Sequence, residues 1–252
     1  MIRAIAAAAA ALLLAAPQAK DSGAYLAPEA YPDGLQILPP PPAAGSAAEA
    51  LDLKIFRDTR GLARTPRWRI ATDDVTNDPL PRNACAMGLL LDAKRAPALA
   101  RLLERAGTGP MVSRIKAAYQ VPRPYLRTAG GICEPKTEHL ARNGDYPSGH
   151  TANGWMEALI LAEVMPERAT AILARGRAYG ESRAICGSHS KSAVDAGYLA
   201  GAVVFAALQA TPAFRDDVAA ARAELAALRT TAPRPDAGQC AAEAAALAVR
   251  PW

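Results

Sequence analysis

Residues 196–210, AGYLAGAVVFAALQA, form the most apolar stretch downstream of the N-terminal region. At 15 residues, this stretch is shorter than the ~20 apolar residues that a membrane-spanning helix needs. Its alanine and leucine content favours helix. The stretch therefore predicts the central core helix of a helical domain.

Helical periodicity extends over most of the chain around this stretch. Prolines and glycines separate most of the periodic segments, with Gly187 in a break and Thr211 followed by Pro212 at a helix start. Aromatic residues make up only 5% of the chain, which favours helices over strands. We expect an all-α, single-domain helical bundle over residues 46–252. Apolar residues recur at helical spacing in the segments 47–57, 83–106, 110–120, 149–164, 167–183, 189–209 and 212–229.

The N-terminal part of the chain differs from the rest in composition. Residues 1–19 have a basic start at Arg3 followed by an apolar run, which is the layout of a cleavable secretory signal peptide. An uncleaved anchor helix is the alternative. Residues 20–45 are rich in proline and lack helical periodicity, so we expect an extended surface arm. Such an arm either covers a partner subunit or a site edge, or is a linker.

The charge pattern limits the class of partner. The formal net charge is +5, and +4 without Arg3 (5 − 1), which weakly favours anionic substrates. Lysines and arginines are dispersed among acidic residues rather than clustered with aromatics, so we expect no nucleic-acid partner. After removal of the signal peptide we also expect no membrane association.

Four cysteines are compatible with two disulfides in an oxidising compartment, and three pairings are open. Their spacing contains no C-x-x-C pair, so a structural zinc site is not expected. The cysteines are Cys85, Cys133, Cys186 and Cys240.

Three short clusters contain the residue types that phosphoryl transfer needs. Transfer without a metal requires fixed positive charges, backbone N–H donors, a nucleophile and an acid for the leaving group. The clusters are KAAYQVPRP with Lys116 and Arg123, YPSGH with Ser148, Gly149 and His150, and SRAICGSH with Arg183 and His189.

Five of these residues are predicted to bind phosphate. Arg123 and Arg183 suit bidentate contacts to phosphate oxygens, and Lys116 suits a point-charge contact. Ser148 and Gly149 precede a predicted helix, whose N-terminal amides and dipole favour an anion.

Two of the three histidines, His150 and His189, fall inside these clusters. One imidazole can attack phosphorus while the other protonates the departing alcohol, because an ordinary pKa near ~6.5 populates both protonation states in mild acid. His139 lies outside the clusters and is expected to be a solvated loop or helix residue.

The pattern K-x6-RP, PSGH, SR-x5-H resembles that of the bacterial class A non-specific acid phosphatases, in the type 2 phosphatidic acid phosphatase superfamily. The resemblance extends from the ILPPPP segment to about residue 210. It implies an all-α fold, a periplasmic location, often a homodimer, and no metal requirement. It assigns His189 as the nucleophile and His150 as the general acid, with phosphate held by the five residues named above. The superfamily also includes vanadium haloperoxidases, whose vanadate occupies the equivalent pocket, but we expect no cofactor here.

One position departs from the family pattern. The family's last motif ends H-x3-D, and Ala193 stands where that histidine-orienting aspartate would be. Asp195, at i+6, points about 120° away from His189 if this stretch is regular helix, so we expect it to be a structural or surface pairing residue. Asp145, just before YPSGH, is a further carboxylate whose reach the sequence does not give.

Removing a carboxylate that orients a catalytic histidine lowers turnover by about 10⁴-fold in serine proteases. The sequence therefore predicts a slowed enzyme that still binds phosphate. We expect an acid phosphatase that hydrolyses small phosphate monoesters through a phosphohistidine and releases inorganic phosphate. The alternative is a non-catalytic protein that binds phosphate or a phosphorylated ligand on the same scaffold.

Overall fold

The computed structural model of the protein describes residues 23–76 and 78–252. The predicted signal peptide, residues 1–19, lies outside the described residues. Within them the regular structure is helical and no residue is in a β-strand, which confirms the predicted all-α, single-domain bundle. Three short 3-10 helices, Pro28–Ala30, Arg60–Leu62 and Pro166–Arg168, accompany the α-helices. The α-helices are α1 (Gly34–Ile37), α2 (Ala47–Thr59), α3 (Pro66–Asp73), α4 (Pro79–Arg82), α5 (Ala84–Met87), α6 (Pro97–Arg105), α7 (Gly109–Tyr119), α8 (Pro124–Arg127), α9 (Glu138–Arg142), α10 (Gly149–Val164), α11 (Ala169–Cys186), α12 (Lys191–Gln209), α13 (Pro212–Leu228) and α14 (Ala237–Leu247).

The prediction of one helix over 83–106 is wrong. The structure has α5 and α6 there, separated by an irregular segment that begins at Gly88, whose φ of +72° is left-handed. Pro97 starts α6, where its missing N–H costs nothing. Leu89 and Leu91 are buried in this irregular segment. Their burial produces apolar periodicity in the sequence without a helix.

The start of the predicted helix 189–209 also differs. Ser190 is the N-cap of α12, and its hydroxyl accepts a hydrogen bond from the backbone N–H of Ala193. His189 therefore precedes the helix, and the expectation that His189 and Asp195 share one regular helix does not hold. Asp195 forms an ion pair with Lys191 on the protein surface, as expected for a surface pairing residue.

Close contact between α10 and α12 brings the PSGH turn to the start of α12. The backbone N–H of Ser148 donates to the carbonyl oxygen of Ala193 at 2.9 Å. A Cβ atom on Gly197 would lie 2.8 Å from the carbonyl oxygen of Ser148, and one on Gly201 would lie 2.5 Å from that of Ala152. Only glycine allows this approach.

The central position of α12 agrees with the sequence prediction. With 19 residues, α12 is long and apolar enough to cross a membrane by length and composition alone, a test that core helices of soluble proteins also meet. In this fold α12 packs against α10 and α11. Ala200 and Val204 on this helix are fully buried.

The described part of the proline-rich segment packs on the bundle. Tyr31 and Leu38 are buried and belong to the main hydrophobic core. The Tyr31 hydroxyl donates to the Gly107 carbonyl oxygen at 2.9 Å, and the Tyr146 hydroxyl donates to that of Pro39. This segment is thereby attached next to the YPSGH turn.

The two disulfides pair Cys85 with Cys240 and Cys133 with Cys186. The first attaches α14, a helix that the sequence analysis missed, to α5. The second joins the segment after α8 to the end of α11, three residues before His189. Both persist only under oxidising conditions, which fits an extracytoplasmic location.

A buried polar network fixes α3 against α11 behind the Arg183 motif. Asp74 is 2% exposed and accepts hydrogen bonds from Arg175, at 2.6 Å and 3.3 Å, and from the Ser182 hydroxyl at 2.6 Å. Arg67 is 1% exposed and donates to the Ser182 hydroxyl and to the Ala178 carbonyl oxygen. Ser182 thus acts in packing rather than lining the cavity described below.

We predict that Asp74→Ala lowers the free energy of unfolding by about 3–5 kcal/mol, because it leaves buried arginines without their counter-charge. Urea denaturation monitored by circular dichroism measures this loss. Asp73→Ala is the matched control, since Asp73 is exposed and its loss should cost less than about 0.5 kcal/mol. Equal effects of the two substitutions would contradict this role of Asp74.

Candidate active site

One cavity of about 500 Å³ brings together most of the predicted site residues. It is lined by the predicted residues Lys116, Arg123, Gly149, His150, Arg183 and His189. They come from α7, the loop before α8, the first turn of α10, the last turn of α11 and the residue before the N-cap of α12. A second cavity of about 510 Å³ shares Asn153 with it, but its lining contains acidic residues and no lysine or arginine. The basic cavity is therefore the candidate anion site.

Arg60 holds the loop that carries His189. Its guanidinium donates to the carbonyl oxygens of Ile185 and Cys186, at 2.5 Å and 3.1 Å, and to that of Gly131. The last carbonyls of a helix lack intrahelical partners, so a cation satisfies them well. Gly187 follows in a left-handed conformation with φ +88°, which turns the chain toward His189.

The hydrogen bonds of His189 fix its tautomer. Nδ1 lies 2.7 Å from the backbone oxygen of Asp145 and 3.0 Å from its carboxylate Oδ1. Nε2 lies 3.0 Å from Nη1 of Arg123. A guanidinium can only donate and a carbonyl oxygen can only accept. The proton is therefore on Nδ1, and the lone pair of Nε2 accepts a hydrogen bond from Arg123 at the wall of the cavity.

His189 is neutral in this environment. Its side chain is 2% exposed. Burial, followed by the positive charges of Arg123, Lys116 and Arg183, holds its pKa well below the ordinary value. A neutral imidazole, whose Nε2 carries a lone pair rather than a proton, is the form that attacks an electrophile.

Two cations position the loop before the PSGH turn. Lys116 donates to the carbonyl oxygen of Gly144, and Arg123 Nε donates to that of Asn143 at 2.9 Å. Arg123 Nη1 also donates to the Ser188 carbonyl oxygen at 2.7 Å. Burial, together with the charge of Arg123, lowers the pKa of Lys116 to about 7, and Asp145 opposes this shift.

Arg183 is fully buried at the cavity wall. Its Nη2 forms an ion pair with Glu134 Oε1 at 2.5 Å, while its buried Nε has no hydrogen-bond partner in the described structure. An unpaired buried donor is costly. The Nε of Arg183 is thus a buried donor that the described structure leaves unsatisfied.

His150 lies in the first turn of α10, on the cavity wall. Burial, and then the positive charge of Arg183, lowers its pKa to about 4, while Glu134 and a hydrogen bond with the Val75 backbone act in the opposite direction. A bound anion would offset the cationic charge and raise the pKa of His150. Its protonation is therefore coupled to occupancy of the cavity.

Ser148 does not line the cavity. It is fully buried as the N-cap of α10, where its Oγ accepts hydrogen bonds from the backbone N–H of Thr151 at 3.3 Å and from the Thr151 hydroxyl at 2.9 Å. Both bonds use Ser148 Oγ as the acceptor. A contact between Ser148 and phosphate stays a prediction.

Glu134 is a cavity residue that the sequence analysis missed. It pairs with Arg183, and the Ser188 hydroxyl donates to its Oε1. Although burial acts to raise the pKa of Glu134, the charge of Arg183 and the hydroxyl of Ser188 hold it below the ordinary value. The available signal was its position beside Cys133, but only the pairing of Cys133 with Cys186 places it near the site.

His139 lies in α9 and is exposed, as expected, but it also lines the edge of the cavity. Asn153, one turn after His150, lines the cavity as well and accepts hydrogen bonds from the backbone N–H and hydroxyl of Thr108. No group of three or more His, Cys, Asp or Glu residues in the described ranges is arranged to hold a metal ion.

Comparison with known proteins gives consistent matches. A family model described as the PAP2 superfamily matches residues 98–216. The chain is 41% identical to an acid phosphatase of Zymomonas mobilis over 86% of this chain and 84% of that protein. It is 38% identical to a non-specific acid phosphatase of Salmonella typhimurium, over 80% of this chain and 83% of that protein. A non-specific acid phosphatase of Providencia stuartii is 35% identical over 78% and 82% of the two chains. The chain therefore belongs to the PAP2 superfamily, in its group of bacterial non-specific acid phosphatases.

Proposed function

We propose that this protein is a metal-independent acid phosphatase that hydrolyses small phosphate monoesters through a phosphohistidine on His189. The observation that carries the proposal is the neutral His189, whose unprotonated Nε2 is hydrogen-bonded to Arg123 at the wall of a cavity that Lys116 and Arg183 also line.

The reaction proceeds in two displacements at phosphorus. Nε2 of His189 attacks, the bond from phosphorus to the ester oxygen breaks, and His150 gives its proton to the departing alcohol. Neutral His150 then takes a proton from water, whose oxygen attacks the phosphohistidine and releases inorganic phosphate. Lys116, Arg123, Gly149 and Arg183 hold the phosphoryl oxygens through both steps, which stabilises the charge that develops in each transition state, and Ser148 caps the helix that presents Gly149.

We further propose that the protein acts in the periplasm. Its two disulfides require an oxidising compartment, and residues 1–19 have the layout of a signal peptide.

We predict hydrolysis of p-nitrophenyl phosphate near pH 5–6 in the presence of excess chelator. His189→Ala should abolish turnover, whereas His139→Ala, the matched control, should leave it nearly unchanged because His139 is exposed at the cavity edge. Binding of inorganic phosphate without turnover in the wild type would instead favour the non-catalytic alternative.

The roles of the two site histidines are distinguishable by leaving group. His150→Ala should lower the turnover of phenyl phosphate by about 10²–10⁴-fold, the usual contribution of a general acid. The rate of the phosphorylation step should fall less for p-nitrophenyl phosphate than for phenyl phosphate, because nitrophenolate leaves without a proton. This variant should accumulate acid-labile phosphate on His189, detectable by mass spectrometry. Equal losses of kcat/KM, which reports the phosphorylation step alone, for the two esters would contradict the assignment of His150.

The charge of Lys116 predicts a pH dependence for anion binding. Its pKa of about 7 lies above those of Asp145, about 6, and His150, about 4. Lys116 is charged below pH 7 and loses its proton above it. Inhibition by sulfate, whose own charge is constant in this range, should therefore weaken by about tenfold per pH unit above pH 7. In Lys116→Arg the charge persists and this decline should disappear, so identical profiles for the two proteins would exclude this role.

A further inference from the structure

The nearest carboxylate to the His189 ring comes from a different part of the chain than the family motif specifies. Ala193, at the motif position, is fully buried in the first turn of α12. Asp145, from the loop before α10, is 1% exposed, and its Oδ1 lies 3.0 Å from Nδ1 of His189. Positions 145 and 193 lie on two segments that are hydrogen-bonded to each other, because the carbonyl oxygen of Ala193 accepts a hydrogen bond from the backbone N–H of Ser148.

We propose that Asp145 is the positioning residue for His189. Its carboxylate, from the loop before the PSGH turn, takes the place of the carboxylate that is absent at position 193. This inference rests on the proposed function, in which His189 carries the phosphoryl group. It also opposes the sequence-based prediction that the alanine slows the enzyme.

The Asp145 carboxylate is held in a single orientation. Its Oδ1 accepts a hydrogen bond at 3.1 Å from the backbone N–H of Ser190, and Ser190 is the N-cap of α12. The backbone N–H of Asp145 donates to the Val121 carbonyl oxygen at 2.7 Å. The carboxylate therefore sits where both the ring of His189 and the start of α12 depend on it.

Asp145 contacts the imidazole in two ways that serve different purposes. Its backbone oxygen, 2.7 Å from Nδ1, is an acceptor that orients the ring. Its carboxylate, whose pKa burial raises to about 6, adds a negative charge 3.0 Å from the same nitrogen when it is deprotonated. Substitution of the side chain removes the charge and leaves the backbone acceptor in place, so the two contributions can be separated.

A negative charge beside Nδ1 favours the chemistry. When Nε2 bonds to phosphorus, a ring that keeps its proton on Nδ1 becomes cationic. Lys116, Arg123 and Arg183 already surround this buried ring with positive charge. A buried cation without a counter-charge is strongly unfavourable. Glu134 does not supply the counter-charge, because it is bound to Arg183 and Ser188.

The Ala193 position is consistent with this arrangement. A carboxylate reaching the His189 ring from position 193 would crowd a second buried negative charge against Asp145, and like charges at a shared site raise the pKa of one of them. A methyl group at position 193 avoids that conflict.

The test compares Asp145→Asn, Ala193→Asp and the control Asp195→Asn. Asparagine keeps an oxygen for the Ser190 N–H but loses the charge. We expect Asp145→Asn to lower kcat by about 10²–10⁴-fold, with KM and the dissociation constant of inorganic phosphate changed by less than about threefold. Ala193→Asp should give no gain in kcat. Asp195→Asn should match the wild type, because Asp195 is an exposed partner of Lys191.

Three results would overturn the inference. They are wild-type kcat in Asp145→Asn, a tenfold or larger gain in Ala193→Asp, or a loss in Asp145→Asn that is accompanied by equally weakened phosphate binding, which would indicate general damage to the pocket. The proposed function is tested separately, because it fails if the wild type has no chelator-resistant turnover. An active wild type with an unimpaired Asp145→Asn refutes only the role of Asp145.

Discussion

Buried positive charge is the constraint on which this structure depends. Cations removed from water need oxygen partners, and here most of those partners are backbone carbonyls. Arg60 binds the carbonyls at the end of α11, while Lys116 and Arg123 bind those of Gly144 and Asn143. The cations that make the cavity attractive to an anion therefore also hold the loops that form its walls.

The same charges determine the state of the nucleophile. A buried imidazole among three cations stays neutral, and Arg123 directs the proton to the far nitrogen of His189 by occupying the side of Nε2. The backbone oxygen and the carboxylate of Asp145 accept the hydrogen bond from that Nδ1–H group. The ring is thus held between Arg123 as donor and Asp145 as acceptor, which leaves Nε2 unprotonated at the wall of the anion cavity.

Helix packing makes this arrangement possible across a long separation in sequence. Gly197 and Gly201 let the start of α12 approach α10 at backbone distance. That approach joins the loop of Asp145 to His189, 44 residues later in the chain. The Cys133–Cys186 disulfide brings Glu134 to Arg183 on the opposite side.

The sequence by itself determined the helical class, the position of α10, and the residue types of the site, because helical periodicity and short motifs are local properties of the chain. It did not give the break at Gly88, where buried leucines imitate helical spacing in an irregular segment. Nor did it give the disulfide pairing, the place of Glu134, or the partner of His189. The motif position suggested a missing carboxylate at Ala193, whereas the fold supplies one from Asp145. Only the tertiary structure could decide this, because an electrostatic contact depends on distance in space, and that distance is set by how α10 and α12 pack.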